Sequence, residues 1–199
     1  MEDDIVTAPG FLNFINGALQ FYEGEDQVLN VAGYAPPIPM PHDYANDYFT
    51  LPRPSAWGWG YDRRTLNVVN ARISEREFLR HRTSEILKRA GNDVLPMLEK
   101  SVSGDLVAGD VRAMFHQLVT GKLTIYPRKS LVQNIGFDGS GVHCGTTDRF
   151  SIDSLWDKER EFIFLEDVMP HPEILRANYK FRSSSIRSRA LAKLRRWFS

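Results

Sequence analysis

The chain has 199 residues, 42% of them hydrophobic and 12% aromatic, with 25 basic and 25 acidic residues and a formal net charge of zero. That composition fits one ordinary globular domain with a real core, and it lacks the global basic charge that drives binding to nucleic acid. Cys144 is the single cysteine, which excludes an internal disulfide and fits a reducing compartment.

The chain opens on three carboxylates, Glu2, Asp3 and Asp4. This start lacks the basic and apolar regions of a secretory signal, and no later apolar run reaches the ~20 residues of a membrane span. A cytoplasmic location is the expectation. A first helix follows, with Thr7 as its cap and Pro9 in its first turn. Phe11, Leu12, Ile15, Ala18, Leu19 and Tyr22 recur at helical spacing, and Gly24 supplies a stop. Residues 28–33 read as a short apolar strand. Residues 35–41 (APPIPMP) are too rich in proline for a central strand and read as a loop. Residues 48–51 read as a second strand, and residues 55–60 (SAWGWG) as a tight aromatic and glycine segment.

Ser74 and Glu77 make an S-x-x-E capping box for a charged helix running toward Arg89. A further helix is expected over residues 94–102. Val111, Met114, Phe115, Leu118 and Val119 predict another, closed by Gly121. Residues 123–126 read as a strand stopped by Pro127, residues 134–147 (NIGFDGSGVHCGTT) as a glycine-dense loop, and residues 161–165 as a late strand. From Arg176 onward the chain holds eight basic residues and no acidic one. Ile186, Ala190, Leu194 and Trp197 could form an apolar stripe there. No internal repeat is found. Short strands among several helices predict an α/β or α+β chain.

Three stretches could carry chemistry. Adjacent carboxylates such as Glu2, Asp3 and Asp4 repel one another and together favour a hard divalent cation, Mn²⁺ or Mg²⁺. The plain alternative is a solvated acidic terminus. The pair Trp57 and Trp59, each followed by glycine, could line a sugar site, because the C–H face of a pyranose packs on aromatic rings. A core aromatic pair at a tight turn is the alternative. In DGSGVHCG, Gly139 and Gly141 could turn backbone N–H groups toward phosphate, and His143 could bind a metal as neutral imidazole. A loop histidine is otherwise simply solvated or hydrogen-bonded, and Cys144 reads better as a small packed residue than as a nucleophile.

Four segments, EDDIVTAPGFLNFINGAL, VLNVAGY, SAWGWG and LTIYPRKSLVQNIGFDGSGVHCG, together resemble the C-terminal half of a family-two-like glycosyltransferase of the GT-A fold. The relatives meant are bacterial sugar transferases akin to the N-acetylglucosaminyltransferase I type. The likeness covers roughly residues 1–150. It implies an incomplete GT-A domain of the α/β class, a mixed sheet with flanking helices, over residues 1–170, the metal and acceptor half; residues 171–199 read by their own composition as a basic amphipathic helix or tail. It further implies inverting transfer of a sugar from a nucleotide-diphospho-sugar to a saccharide or lipid-linked acceptor, in cell-surface polysaccharide synthesis. Asp4, with Asp3 and His143, would hold the metal. Glu2, Asp3, Gly139 and Gly141 would face the donor, and Trp57, Gly58 and Trp59 would form the acceptor wall.

Two departures from the family pattern bear on this. Where relatives carry a D-S-W-A-like segment, this chain has Val107, Ala108, Gly109 and Asp110. Asp110 or Asp105 is then left as the base, and for both the alternative is a capping role at a helix N-terminus. The βαβ half that would bind the nucleotide is also absent from this sequence. The expectation is a truncated or split frame, with an unpaired sheet edge, marginal stability and a separate chain supplying the rest. A non-catalytic remnant or partner subunit is the rival reading. A second rival is a membrane-surface module, in which the basic tail lies on the inner face of an anionic membrane. No nucleic-acid partner is expected.

Overall fold

The computed structural model describes residues 3–136, 149–156 and 161–183. Within them the chain is mixed α/β, with two small sheets. In chain order the elements are β1 (Ile5–Thr7), α1 (Phe11–Phe21), β2 (Val28–Val31), β3 (Tyr48–Leu51), α2 (Arg63–Asn70) and α3 (Glu75–His81). Then come α4 (Glu85–Lys88), α5 (Val94–Ser103), α6 (Gly109–Thr120), β4 (Leu123–Pro127), β5 (Val132–Asn134) and α7 (Pro172–Arg182). No described helix is long and apolar enough to cross a membrane.

The larger sheet is ordered β2-β4-β3, with β2 parallel and β3 antiparallel to β4. A parallel neighbour needs a crossover connection, and α2 to α6 lie within the one that joins β2 to β4. Side chains on β4 alternate between faces. Leu123 and Ile125 join a core with Phe14, Ile15 and Ala18 of α1. On the opposite face, Tyr126 packs with Phe49, Leu51 and Ile174 of α7, and Thr124 accepts a 2.8 Å hydrogen bond from Gln117 of α6. The sheet is therefore covered on both faces. Helix α6 also closes a helical subcore, in which Val111, Met114, Phe115 and Leu118 meet Phe78, Leu87, Val94 and Leu98.

The second sheet is the antiparallel ribbon β1–β5, in which Ile5 faces Asn134 and Thr7 faces Val132. It corrects the expected start of the first helix. Thr7 is committed to the ribbon, and the Ala8 N–H donates to the Leu131 carbonyl at 2.8 Å. Helix α1 then begins at Phe11, with Gly10 at its N-cap and no side-chain cap, and Pro9 lies before it. The Ser74 cap is present, its hydroxyl accepting from the Glu77 N–H. Gly121 closes α6 at φ 77°.

The late strand is absent. Residues 161–165 form no strand and have no ladder partner. Instead the Ile163 N–H donates to an Asp47 carboxylate oxygen and the Leu165 N–H to the Tyr48 hydroxyl. Phe162 and Phe164 turn inward onto Phe14, with ring centroids 5.0 and 5.6 Å away. Side-chain acceptors have replaced a strand as the partner of this backbone.

Parts of both edges of the larger sheet, where unpaired backbone was expected, are met by the chain's own residues. On β2, Val31 and Gly60 exchange backbone hydrogen bonds of 2.9 and 2.8 Å, and the Leu29 carbonyl accepts from the Thr65 hydroxyl. On β3, the Tyr48 carbonyl accepts from the Tyr44 hydroxyl at 2.7 Å, and the Thr50 hydroxyl donates to the Val168 carbonyl at 2.9 Å. The basic stretch beyond Ser183, with Ile186, Ala190, Leu194 and Trp197, lies outside the described residues.

Candidate functional site

The segment after β3 turns sharply and builds one wall of a cavity. Arg53, 6% exposed, points its guanidinium at α5. Its Nη1 and Nη2 donate to the two Asp93 carboxylate oxygens at 2.8 Å each, and Nη1 also donates to the Ala90 carbonyl at 3.0 Å. Its own carbonyl accepts from the buried Tyr126 hydroxyl at 2.6 Å. Arg53 is thereby fixed at both ends. Four residues later, Trp57 stands edge-on to Tyr34 at 4.6 Å and to Phe150 at 5.6 Å.

Gly58 follows at φ 60°, a left-handed conformation that glycine adopts without a Cβ clash. Its carbonyl accepts from the Gly33 N–H at 2.9 Å. A Cβ there would fall 2.7 Å from Val132 Cγ1 and 2.9 Å from Phe11 Cε2. The turn is thus pressed against the β1–β5 ribbon and α1.

Trp57 and Asp110 line the same cavity, about 280 Å³ in volume, together with Tyr34, Arg53, Ser55, Asp93, Phe150 and Arg182. Asp110 sits in the first turn of α6, where its Oδ1 accepts the Val111 N–H at 2.9 Å. It forms no ion pair among the described residues. Arg182 enters from the end of α7. Its guanidinium lies 5.7 Å from the Phe150 ring centre and 5.3 Å from that of Phe181. Burial pushes this guanidinium down to about 10, and the neighbouring Arg53 charge acts in the same direction. Burial also raises the Tyr34 phenol above its usual range, and its hydroxyl donates to the Phe150 carbonyl at 3.1 Å.

Asp4 lies at the start of the ribbon. Its Oδ2 accepts from Asn134 Nδ2 at 2.9 Å, and its backbone carbonyl accepts from the Ile135 N–H at 2.9 Å. Gly136 closes over it, since a Cβ there would meet Asp4 Oδ2 at 2.7 Å. Asp4 Oδ1 is buried with no hydrogen-bond partner. A buried carboxylate oxygen without a donor fits a hard cation as its missing partner. Asp3, by contrast, is exposed in a turn. Among the described residues no group of three or more His, Cys, Asp or Glu could hold a metal ion, and Asp4 Oδ1 stands there as a single candidate ligand atom. The ribbon links this point to the cavity: Asn134, which holds Asp4, and Val132, which packs on Gly58, are alternate residues of β5.

The remaining expected positions divide. Glu2, Gly139, Gly141 and His143 lie outside the described residues. The chain leaves the described part at Gly136 beside Asp4, and it is described again from Arg149, next to Phe150 of the cavity wall. Asp105 is exposed on the turn after α5, where its Oδ2 accepts from the Ser103 hydroxyl at 2.7 Å, and it does not line the cavity. Trp59 faces away from Trp57. It packs on Leu29, Val69 and Ala113, and its ring lies 4.8 Å from Tyr61.

The sequence reading missed Arg53, Asp93 and Arg182 as neighbours of Trp57. Their separation along the chain gives no local pattern that would join them. A wider groove of about 1130 Å³, lined by Leu118, Leu175, Arg176 and Tyr179 among others, holds none of the residues singled out for chemistry. No protein-family model matches the chain, and no curated protein or solved structure is detectably similar to it.

Proposed function

We propose that this chain is the metal- and acceptor-binding half of an inverting glycosyltransferase that uses a nucleotide-diphospho-sugar donor. The observation that carries the reading is the shared cavity of Trp57 and Asp110, an aromatic face and an unpaired carboxylate brought together from distant parts of the chain. A sugar acceptor seated on Trp57 would present its apolar C–H face to the indole. Asp110 would take the proton from the acceptor hydroxyl as that oxygen attacks the anomeric carbon and the bond to the diphosphate breaks. Attack from the side opposite the leaving group inverts the centre.

The second support is Asp4, with one buried carboxylate oxygen lacking a partner. A divalent cation, Mn²⁺ or Mg²⁺, would supply neutralising charge for the departing diphosphate there. Asn134 holds the other oxygen of Asp4 and so fixes the direction in which the carboxylate points. His143, Gly139 and Gly141 belong to this proposal through the family resemblance alone.

The test is a thermal melt of the chain with Mn²⁺ and a panel of nucleoside diphosphates. A ligand at 100 times its dissociation constant adds about 2.7 kcal/mol to a folded state that alone binds it. A metal-dependent rise with one nucleotide, lost in Asp4→Asn, is the expected result. A cooperative melt that no metal–nucleotide pair moves would refute the reading.

A further inference from the structure

Arg182 carries a buried donor that its neighbours do not satisfy. Its Nε has no exposed surface and no hydrogen-bond acceptor. The rings of Phe150 and Phe181 flank the guanidinium, but rings accept none of its hydrogen bonds in the plane. A buried charged donor left without an acceptor is costly to the folded state.

A second arginine, Arg53, lines the same cavity. A Cβ on Gly91 would lie 2.6 Å from Asp93 Oδ1, 2.8 Å from Arg182 Cβ and 3.2 Å from Arg53 Nη1, so the base of the Arg182 side chain adjoins the Arg53–Asp93 pair at that glycine. Arg53 is already satisfied, by both oxygens of Asp93 and by the Ala90 carbonyl. Asp110 lines the same cavity but pairs with neither arginine. Arg53 therefore holds the bonded carboxylate, and Arg182, without one, lines a cavity that also presents Trp57.

We propose that Arg182 receives an oxyanion, a phosphate or carboxylate carried by the acceptor sugar, in the cavity walled by Trp57. The word acceptor rests on the transferase reading above; the anion site itself does not. The forked N–H donors of arginine match two oxygens of either group and bind them more strongly than neutral partners. Trp57 then takes the apolar face of the ring, Arg182 reads its charge, and a neutral sugar gains the first contact alone.

The experiment is a set of thermal melts of the full chain with glucose 1-phosphate, glucuronic acid, glucose and inorganic phosphate. One or both charged sugars raise the midpoint at concentrations where glucose does not. Glucose 1-phosphate acting alone assigns a phosphate, and glucuronic acid acting alone a carboxylate. Arg182→Gln weakens the charged sugar's binding by about 10- to 100-fold, and Arg182→Lys recovers part of the loss. Equal shifts by glucose and the charged sugars, no shift by any probe, or a shift unchanged in Arg182→Gln overturns the proposal. Inorganic phosphate matching glucose 1-phosphate would also overturn it, by showing that no sugar is recognised.

If Arg182→Gln does not fold, nitrogen-15 NMR of the unmodified chain gives the answer. The Arg182 Nε–H signal, assigned through Arg182→Lys, moves on titration with the active sugar, and a signal that stays still overturns the proposal. The Mn²⁺–nucleotide shift separates the two readings. Its absence alongside an Arg182-dependent sugar shift defeats the transferase reading and leaves the anion site standing. The reverse pattern defeats the anion site alone.

Discussion

Trp57 and Trp59 stand two residues apart and face different parts of the protein. Trp57 packs on Tyr34 and Phe150 in the cavity, and Trp59 packs on Leu29, Val69 and Ala113. The intervening Gly58, at φ 60°, makes that split. Gly58→Ala adds left-handed strain of about 1–2 kcal/mol. It also drives a Cβ to within 2.7 Å of Val132 Cγ1, overpacking that costs about 1–3 kcal/mol. A loss of about 2–5 kcal/mol in urea unfolding is the expected sum. An unchanged midpoint would mean that the turn does not have this shape.

Two substitutions separate packing from chemistry in the cavity. Trp57→Ala removes a half-buried ring with two edge-on aromatic partners and is expected to destabilise by about 2 kcal/mol, less than a fully buried Trp. Asp110→Asn keeps the shape and the acceptor for the Val111 N–H, so stability changes by less than about 1 kcal/mol. In a sugar-transfer assay the same Asn variant loses about 10²- to 10⁴-fold in rate, the usual worth of a positioned base. Full activity in Asp110→Asn removes it from the chemistry.

Much of this arrangement was legible in the sequence, and the reasons differ by element. The spacing of Val111, Met114, Phe115 and Leu118, and Gly121 behind them, announced α6, because an amphipathic helix writes its buried face into local periodicity. The Ser74 cap was readable for the same reason. Ribbon β1–β5 was not. Three-residue strands have no period to detect, and the pairing of Ile5 with Asn134 joins residues far apart along the chain. Residues 161–165 misled because Phe162 and Phe164 alternate as in a strand, while their backbone bonds go to Asp47 and Tyr48 side chains. Trp57 and Asp110 were each visible as types; their shared cavity is a product of the fold alone.

Asn30 tests the interior of the larger sheet. It lies on β2 opposite Thr124, is 1% exposed, and neither its Oδ1 nor its Nδ2 has a hydrogen-bond partner. An unsatisfied buried amide costs about 1–3 kcal/mol, and an apolar strand former at that position removes the cost. Asn30→Val is expected to raise stability by about 1 kcal/mol. A destabilised variant would show that the amide is satisfied in solution.

Helix α2 carries a pH signature of its own. Asp62 is its N-cap, and the Asp62 carboxylate accepts from the Thr65 N–H at 3.0 Å and from Arg64 Nε at 2.6 Å. Burial works to raise the Asp62 pKa, but the Thr65 N–H and the Arg64 guanidinium outweigh it and hold the group below its ordinary value of 3.8. The unfolded chain therefore takes up this proton first as pH falls. The cap's contribution is complete above pH 3.8 and is lost as pH drops through the lower folded value. Asp62→Ala costs about 1 kcal/mol at neutral pH, toward the small end of cap losses because the side chain is 41% exposed. The deficit of the variant shrinks on acidification below pH 3.8, as the unmodified protein loses the same contribution. Urea melts at neutral pH and at pH 3 read both effects, and a deficit that stays constant across them would show that the carboxylate is not the cap.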